Sequence, residues 1–385
     1  MKHILNCHPI HKTDFVKGQG CLLYDKRGKP YLDCESGVWC TALGHSHPRI
    51  TDIISKQSAR LTNIGFRFGT EEIEQAATAL LDILGFANGK CVFLTSGSEA
   101  MDLSMKLAQV ATHRNKFVGL EPSYLAAFGQ GADVGGNRWT SIERHSDTLK
   151  RTINWLQVGA LVLEPGSAGG SVQFPSATLI QELAQHTQNS GGLVVVDEVT
   201  TGMGRTGQWF GYNHFDIRPD IVAVGKGLGN GYPVSAVAVR EEVAETIEAT
   251  GLHYIQSHQN DPLGCAVANE VIDTIHEEDL IQQSRDKGDY FYKQLLQAKE
   301  TCPAIVNIRG KGLMLAVEFS EAVKAPDLFE RLLERGMLVG CNPSFNIIRF
   351  MPPLTIEHRH IDECVHHLKD LLNTMQSPQC GQSVT

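Results

Sequence analysis

Long apolar runs are missing from this chain, and so are an excess of basic residues and paired cysteines. No stretch approaches the roughly 20 apolar residues that a membrane helix needs, and the opening MKHILNCHPIHKTDF has too short an apolar region for a signal peptide. Lysine and arginine number 34 against 43 aspartates and glutamates, a formal net charge of −9, which leaves no basic footprint for nucleic acid. The ten cysteines never fall at Cys-x-x-Cys spacing, so the usual zinc and redox patterns are excluded and the thiols read as small apolar side chains. The histidine groups at His45 and His47, His358 and His360, and His366 and His367 have no acidic or thiol partner recurring at ligand spacing. There is no internal repeat and no long low-complexity linker. What remains is a chain of 385 residues, long enough for a large core and two domains. It is expected in the cytoplasm, acting on small molecules, with no nucleic-acid or membrane partner.

The rest of the chain is organised around the stretch from Leu193 to Val234. Leu193 to Val196 is a continuous aliphatic run, the pattern of a strand buried on both faces of a parallel sheet. It stops at Asp197-Glu198. A buried strand ending in a carboxylate costs several kcal/mol unless the acid is paired. A second apolar run from Asp220 to Gly225 delivers Lys226 into the glycine-rich turn Gly227 to Gly231, where a ligand can approach closely. Ligands of open α/β sheets collect at the carboxyl ends of strands, so both groups should face one crevice. A lysine placed there has a depressed pKa and can form a Schiff base, while the acid can keep a pyridinium nitrogen protonated. That chemistry is pyridoxal phosphate. Taken alone, the two residues fit an ordinary buried ion pair equally well, and other stretches must decide.

The two runs, DEVTTGMGRTG and PDIVAVGKGLGNGYPVSAV, resemble the signature of the class III pyridoxal-phosphate-dependent aminotransferases. That family includes acetylornithine, ornithine and 4-aminobutyrate aminotransferases and some decarboxylases and racemases. The similarity extends from about Gly18 to about Leu372. It implies an α/β chain of fold type I, the aspartate-aminotransferase-like fold. A large, mostly parallel-sheet domain that binds the cofactor is expected over residues 50–265. A small α+β domain is expected from 1–49 and 266–375, with a flexible tail at 376–385. A homodimer with the active site at the subunit interface is implied as well.

Further site residues follow from the resemblance. Ser96 to Ala100 turns the strand Lys90 to Thr95 into a helix, and such a turn offers backbone N–H groups to an anion. A Ser-x-x-Glu start is also an ordinary capping device; the resemblance assigns Gly97 and Ser98 to the cofactor phosphate. Tyr124 matches the aromatic residue stacked on the cofactor ring, but Leu125, Ala126 and Ala127 replace the His, Gly and Arg that usually follow. Glu164 is the acid beside the cofactor. The later glutamate, which in ornithine and 4-aminobutyrate enzymes partners a substrate-binding arginine, is replaced by Ser167 and Ala168. Val199 would pack on the ring face opposite Tyr124, and Thr200 stands where many members contact the phenolic oxygen. Ser257 keeps the hydroxyl that reaches the phosphate of the neighbouring subunit's cofactor. Asp261 replaces the usual asparagine nearby.

For the substrate, the resemblance implies that Val38 and Trp39 shape the entrance and that Arg349 binds a carboxylate, a duty suited to a guanidinium fork. Read without the family, Trp39 is as readily core, and Arg349 as readily a structural ion pair. Gly202 to Gly207 looks like a phosphate loop but lacks the strand–helix context, and is read as structural. The periodicity is helical from about Ile50 to Asn88, and a long helical stretch is expected from about Cys265 to Lys299. The expected reaction moves an amino group between an amino acid and a 2-oxo acid by a ping-pong mechanism. Lys226 would hold the cofactor and then move a proton, and Asp197 would keep the ring nitrogen protonated. The alternative is racemisation or decarboxylation by the same residues. The departures at 125–127, 167–168 and 261 point away from ornithine-type substrates.

Overall fold

Three sheets organise the computed structural model, which describes residues 3–146 and 152–376. The largest has seven strands in the order Lys90–Leu94, Ser235–Val239, Ile221–Val224, Leu193–Asp197, Val158–Leu163, Lys116–Glu121, Trp139–Glu143. All run parallel except Ser235–Val239, which is antiparallel to both neighbours. The central strands are aliphatic throughout because both faces are covered. Val195, Ile221 and Ala223 pack in one core with Ala100, Met101 and Leu107 of the helix Gly97–Thr112. Val194, Val196, Val222 and Val224 pack in the other with Leu179, Ile180 and Leu183 of the helix Ala177–Asn189. Each fully buried valine contributes about 1.5–3 kcal/mol. The sheet therefore forms a rigid platform, and its parallel strands all end at the same edge.

Residues near both ends of the chain share a second sheet. Phe15–Gln19, Leu22–Asp25 and Pro30–Asp33 form an antiparallel meander, and Met337–Leu338 adds to Pro30–Asp33 in parallel. The third sheet, Ile305–Lys311, Met314–Phe319, Ile347–Phe350 and Gly340–Asn342, is antiparallel. Arg205 joins these parts: it is buried and donates to the carbonyls of Leu313 and Pro352 and to Ser36 Oγ. The run Gly202 to Gly207 is thus a seam between sheets.

Each of the two helical stretches is made of two helices. The first is Pro48–Arg60 and Glu71–Leu84, with Leu61 extended between them. Asn63 and Gly65 favour a turn there, and Asn63 Nδ2 anchors the loop to the Ser257 carbonyl at 2.9 Å. The second is Pro262–Glu277 and Leu280–Thr301, separated where Asp279 takes a left-handed φ of 51°. Strands Phe15–Gln19 and Trp139–Glu143 were not expected, since both are part-exposed edge strands without an aliphatic run. The helix His358–Gln376 ends the described chain, so the expected tail lies outside the described residues apart from Gln376. Among the described residues no helix is long and apolar enough to cross a membrane.

Candidate active site

Three neighbouring strands of the large sheet deliver three charged groups at their carboxyl ends. Asp197 ends Leu193–Asp197, Glu164 follows Val158–Leu163, and Lys226 follows Ile221–Val224 by two residues. Asp197 and Glu164 are each only 4% exposed. Lys226 has a left-handed φ of 44°, an unusual conformation for a side chain of its size and one that functional sites tend to retain. Its Nζ donates to Thr200 Oγ1 at 2.6 Å and lies 4.8 Å from the centre of the Trp39 ring.

Burial governs the charges here. It lowers the Lys226 pKa from the ordinary lysine value, against the pull of Asp197, Cys40 and Glu164. Burial also raises Asp197, helped by the charge of Glu164 and opposed by the Val199 N–H and by Lys226. Asp197 Oδ1 accepts that N–H at 3.0 Å. Glu164 is raised by burial too, and is held by the N–H groups of Tyr124 at 3.2 Å and Ala168 at 3.1 Å, with Arg144 Nη2 at 3.6 Å. Glu164 is thus paired with Arg144, and Lys226 is the positive charge that opposes the rise of Asp197.

Gly97 and Val199 form a closely fitted floor. A Cβ at Gly97 would lie 2.5 Å from Val199 Cγ1, so no other residue fits without movement. Gly97 also opens the helix Gly97–Thr112, where the first backbone N–H groups are free for an anion. The capping box is present: Ser96 and Glu99 bond each other reciprocally. Capping and anion binding are compatible, because the box occupies Ser96 and Glu99 rather than the Gly97 N–H. Ser98 Oγ accepts the Ala127 N–H at 2.9 Å, tying this turn to the loop that carries Tyr124. Gly97→Ala is expected to cost about 1–3 kcal/mol by overpacking, read as a lowered urea midpoint. Val199→Ala in the same chain should recover part of that loss. An unchanged midpoint in Gly97→Ala would contradict the close fit.

The ring of Tyr124 is exposed, as is Val38. Ser257 is exposed on a loop, and its carbonyl accepts from Asn63. Trp39 is buried and packs with Ala168, Val172, Met314, Ala316, Ile347 and Met351. It touches core and site at once. The turn Ser36–Trp39 that carries it is left-handed, with φ of 43°, 60°, 59° and 70°, a conformation costing roughly 1–2 kcal/mol per non-glycine residue. Asp33 holds it there, accepting the N–H groups of Glu35 at 2.9 Å and Gly37 at 3.1 Å. Arg349 Nη1 donates to the Ala168 carbonyl at 2.8 Å, and its guanidinium carbon lies 5.1 Å from the Trp39 ring centre. Trp39 thus contacts both Lys226 and Arg349.

Three buried charged residues escaped the reading of the sequence. Arg144, 1% exposed, donates to the carbonyls of Pro122 and Glu164 and to Ser123 Oγ, and supports the Glu164 carboxylate. Glu198 accepts from Thr201 Oγ1 at 2.7 Å, Gly211 N at 2.8 Å and Tyr212 N at 2.7 Å, pinning the loop after Asp197. Its position after Asp197 was the one available signal. Glu35 faces Arg349, with Oε1 3.8 Å from Nη2.

A parallel sheet presenting an amine and two acids at three adjacent strand ends defines an enzyme of the fold-type-I transferases, and comparison with known proteins narrows the class. The model of the family Aminotransferase class-III matches residues 6–131 and 132–372, and the chain belongs to that family. It is an enzyme that transfers amino groups. The acetylornithine aminotransferase of Aquifex aeolicus is 30% identical over 391 residues, covering 97% of this chain and 100% of that protein. The [LysW]-aminoadipate semialdehyde transaminase of Deinococcus radiodurans is 30% identical over 384 residues, covering 95% and 87%. The solved structure of acetylornithine aminotransferase from Elizabethkingia anophelis is similar at a TM-score of 0.85 and 26% identity, covering 97% of each chain.

Proposed function

We propose that this chain carries pyridoxal 5'-phosphate at Lys226 and uses it to exchange the amino group of an amino acid with a 2-oxo acid in two alternating half-reactions. The observation that carries this reading is the delivery of Lys226, Asp197 and Glu164 by three adjacent strand ends. The residues fit the cofactor: the Gly97–Val199 floor has no room for a Cβ, and buried Asp197, raised by burial and by the charge of Glu164, suits a cationic ring nitrogen. When bound, the cofactor supplies an electron-accepting ring.

The chain's own residues do the rest. Burial keeps the Lys226 amine ready to lose its proton, so Nζ serves first as nucleophile and later as the base and acid that moves the substrate α-proton. Thr200 Oγ1 holds Nζ between these tasks. Asp197 stabilises positive charge on the ring nitrogen, and Glu164 adds negative potential beside it. The Gly97 N–H and the Ser98 region take the phosphate, Val199 supports one ring face and Tyr124 covers the other. Ser257 would reach the phosphate from the second subunit of a homodimer. Val38 and Trp39 bound the substrate, and Arg349 takes its carboxylate. In this reading residues 50–265 form the cofactor domain, with 1–49 and 266–375 as the second domain, and the enzyme works in the cytoplasm.

Relatives named acetylornithine aminotransferase suggest amino acids with an extended side chain, while Ala127, Ser167 and Ala168 argue for a different donor. Absorbance of the cofactor-loaded enzyme during addition of single amino acids tests the reading. Conversion to the pyridoxamine form with one equivalent of 2-oxo product is expected for the donor. An unchanged cofactor with α-proton exchange, or with released carbon dioxide, would overturn transamination in favour of racemisation or decarboxylation.

A further inference from the structure

We infer that Glu35 couples the binding of a substrate carboxylate at Arg349 to the uptake of a proton, making it a specificity-determining residue. The inference rests on the proposed role of Arg349.

Glu35 and Arg349 come from opposite ends of the chain and meet where few other groups can serve them. Arg349 uses Nη1 on the Ala168 carbonyl, and its Nε is buried without a hydrogen-bond partner. Glu35 is 8% exposed, and its Oε1 is likewise buried without a hydrogen-bond partner. The 3.8 Å between Oε1 and Nη2 is ion-pair contact, longer than a hydrogen bond. The guanidinium is therefore neutralised by Glu35 without being saturated by it. Its link to the chemistry is Trp39, whose ring contacts Arg349 and Lys226.

Glu35 has little room to withdraw. A Cβ at Gly340 would lie 1.6 Å from Glu35 Oε1 and 2.9 Å from Arg349 Nε, so the carboxylate fills a gap that exists because residue 340 is glycine. Its backbone is fixed at the same time by Asp33, through the Glu35 N–H, and by the Trp39 N–H on the Glu35 carbonyl. A substrate carboxylate arriving at Arg349 then places two carboxylates on one guanidinium in a poorly hydrated pocket. Like charges so placed cannot both stay ionised at low cost. Simple α-carboxyls titrate near 3.5, whereas burial raises Glu35 to about 7. Glu35 is the group that protonates. The proton comes from solvent, adds to the Glu35 carboxylate, and returns to solvent when the carboxylate ligand leaves.

The surrounding charges agree with this assignment. Arg349 and Arg205 lower the Glu35 pKa, Asp33 raises it, and the nearby Trp39 N–H eases the rise without meeting the geometry of a hydrogen bond. Asp33 is itself in contact with His45 Nε2 at 2.7 Å. From the strand Gly340–Asn342, the Cys341 thiol also faces the pair and is raised, chiefly by burial. Binding raises the Glu35 pKa above its free value. Affinity for carboxylates is therefore full below about pH 7 and falls as pH rises through that value, by about tenfold per unit, until the bound pKa is reached. A purely structural Glu35–Arg349 pair would bind carboxylates without any such linkage.

The test is calorimetric titration of the cofactor-loaded enzyme with pentanoate, an unreactive carboxylate, at about pH 8 in two buffers of different ionisation enthalpy. The expected result is uptake of about one proton per ligand in the wild type and none in Glu35→Gln, which should bind about tenfold more tightly at that pH. Binding that disappears in Arg349→Gln but brings no proton uptake in the wild type would overturn the inference and leave the carboxylate site standing. Uptake that persists in Glu35→Gln would overturn it as well. Binding absent from the wild type, or indifferent to Arg349→Gln, would remove the arginine site itself and the inference with it.

Discussion

Lys226→Ala is expected to lose about four orders of magnitude or more in turnover while keeping its fold. The variant lacks both the amine that joins the cofactor and the group that shuttles the substrate proton, and positioned proton transfer alone is worth about 10²–10⁴-fold. Its side chain makes a hydrogen bond to Thr200 Oγ1, a contact with Trp39 and a charge interaction with Asp197. Truncation also removes a positive charge acting on buried Asp197, so a loss of about 1–3 kcal/mol in urea unfolding is expected with the fold retained. Turnover with the best amino donor, measured beside far-ultraviolet circular dichroism, separates the two effects. Added methylamine should restore a part of the lost rate. A variant within tenfold of wild-type turnover would refute the assignment.

The largest effect on stability is expected at Arg144. The guanidinium is buried and bridges the Pro122 and Glu164 carbonyls, Ser123 Oγ and the Glu164 carboxylate. Arg144→Met fills the volume but abandons a buried acid and two carbonyls, a change that costs about 3–5 kcal/mol when one partner of a buried pair is removed. Arg144→Lys keeps the charge without the planar fork and should recover only part of it. Equilibrium urea unfolding of the three proteins measures the difference, and a loss below about 1 kcal/mol in Arg144→Met would contradict the bridging role. Because Glu164 also holds the Tyr124 N–H, weaker cofactor retention should accompany the lost stability.

The site's backbone was legible where the chain is most constrained. Leu193 to Asp197 and Asp220 to Lys226 are aliphatic runs ended by a charge, and a strand buried on both faces admits little else. The same pattern, with the run Gly159 to Leu163, puts Asp197, Lys226 and Glu164 at strand ends. Groups that act across the fold were not legible. Arg144 serves backbone carbonyls, which leave no mark on the sequence. Glu35 is recognised by an arginine on a strand from the far end of the chain, and those ends are brought together by the pairing of Pro30–Asp33 with Met337–Leu338 and by the Met351 N–H on the Cys34 carbonyl. The left-handed turn Ser36–Trp39 has a single glycine and is set by side-chain bonds from Asp33 instead. The helix breaks near Asn63 and Asp279 were hidden because the apolar periodicity continues on either side. The acid facing Arg349 in this chain is Glu35.

The most direct test of the central claim is to load the enzyme with pyridoxal phosphate, reduce it with borohydride, and map the modified peptide by mass spectrometry. The expected result is one pyridoxyl group per chain, on Lys226 and absent from Lys226→Ala. Modification of a different lysine, or a wild-type protein that takes up no cofactor, would contradict the account.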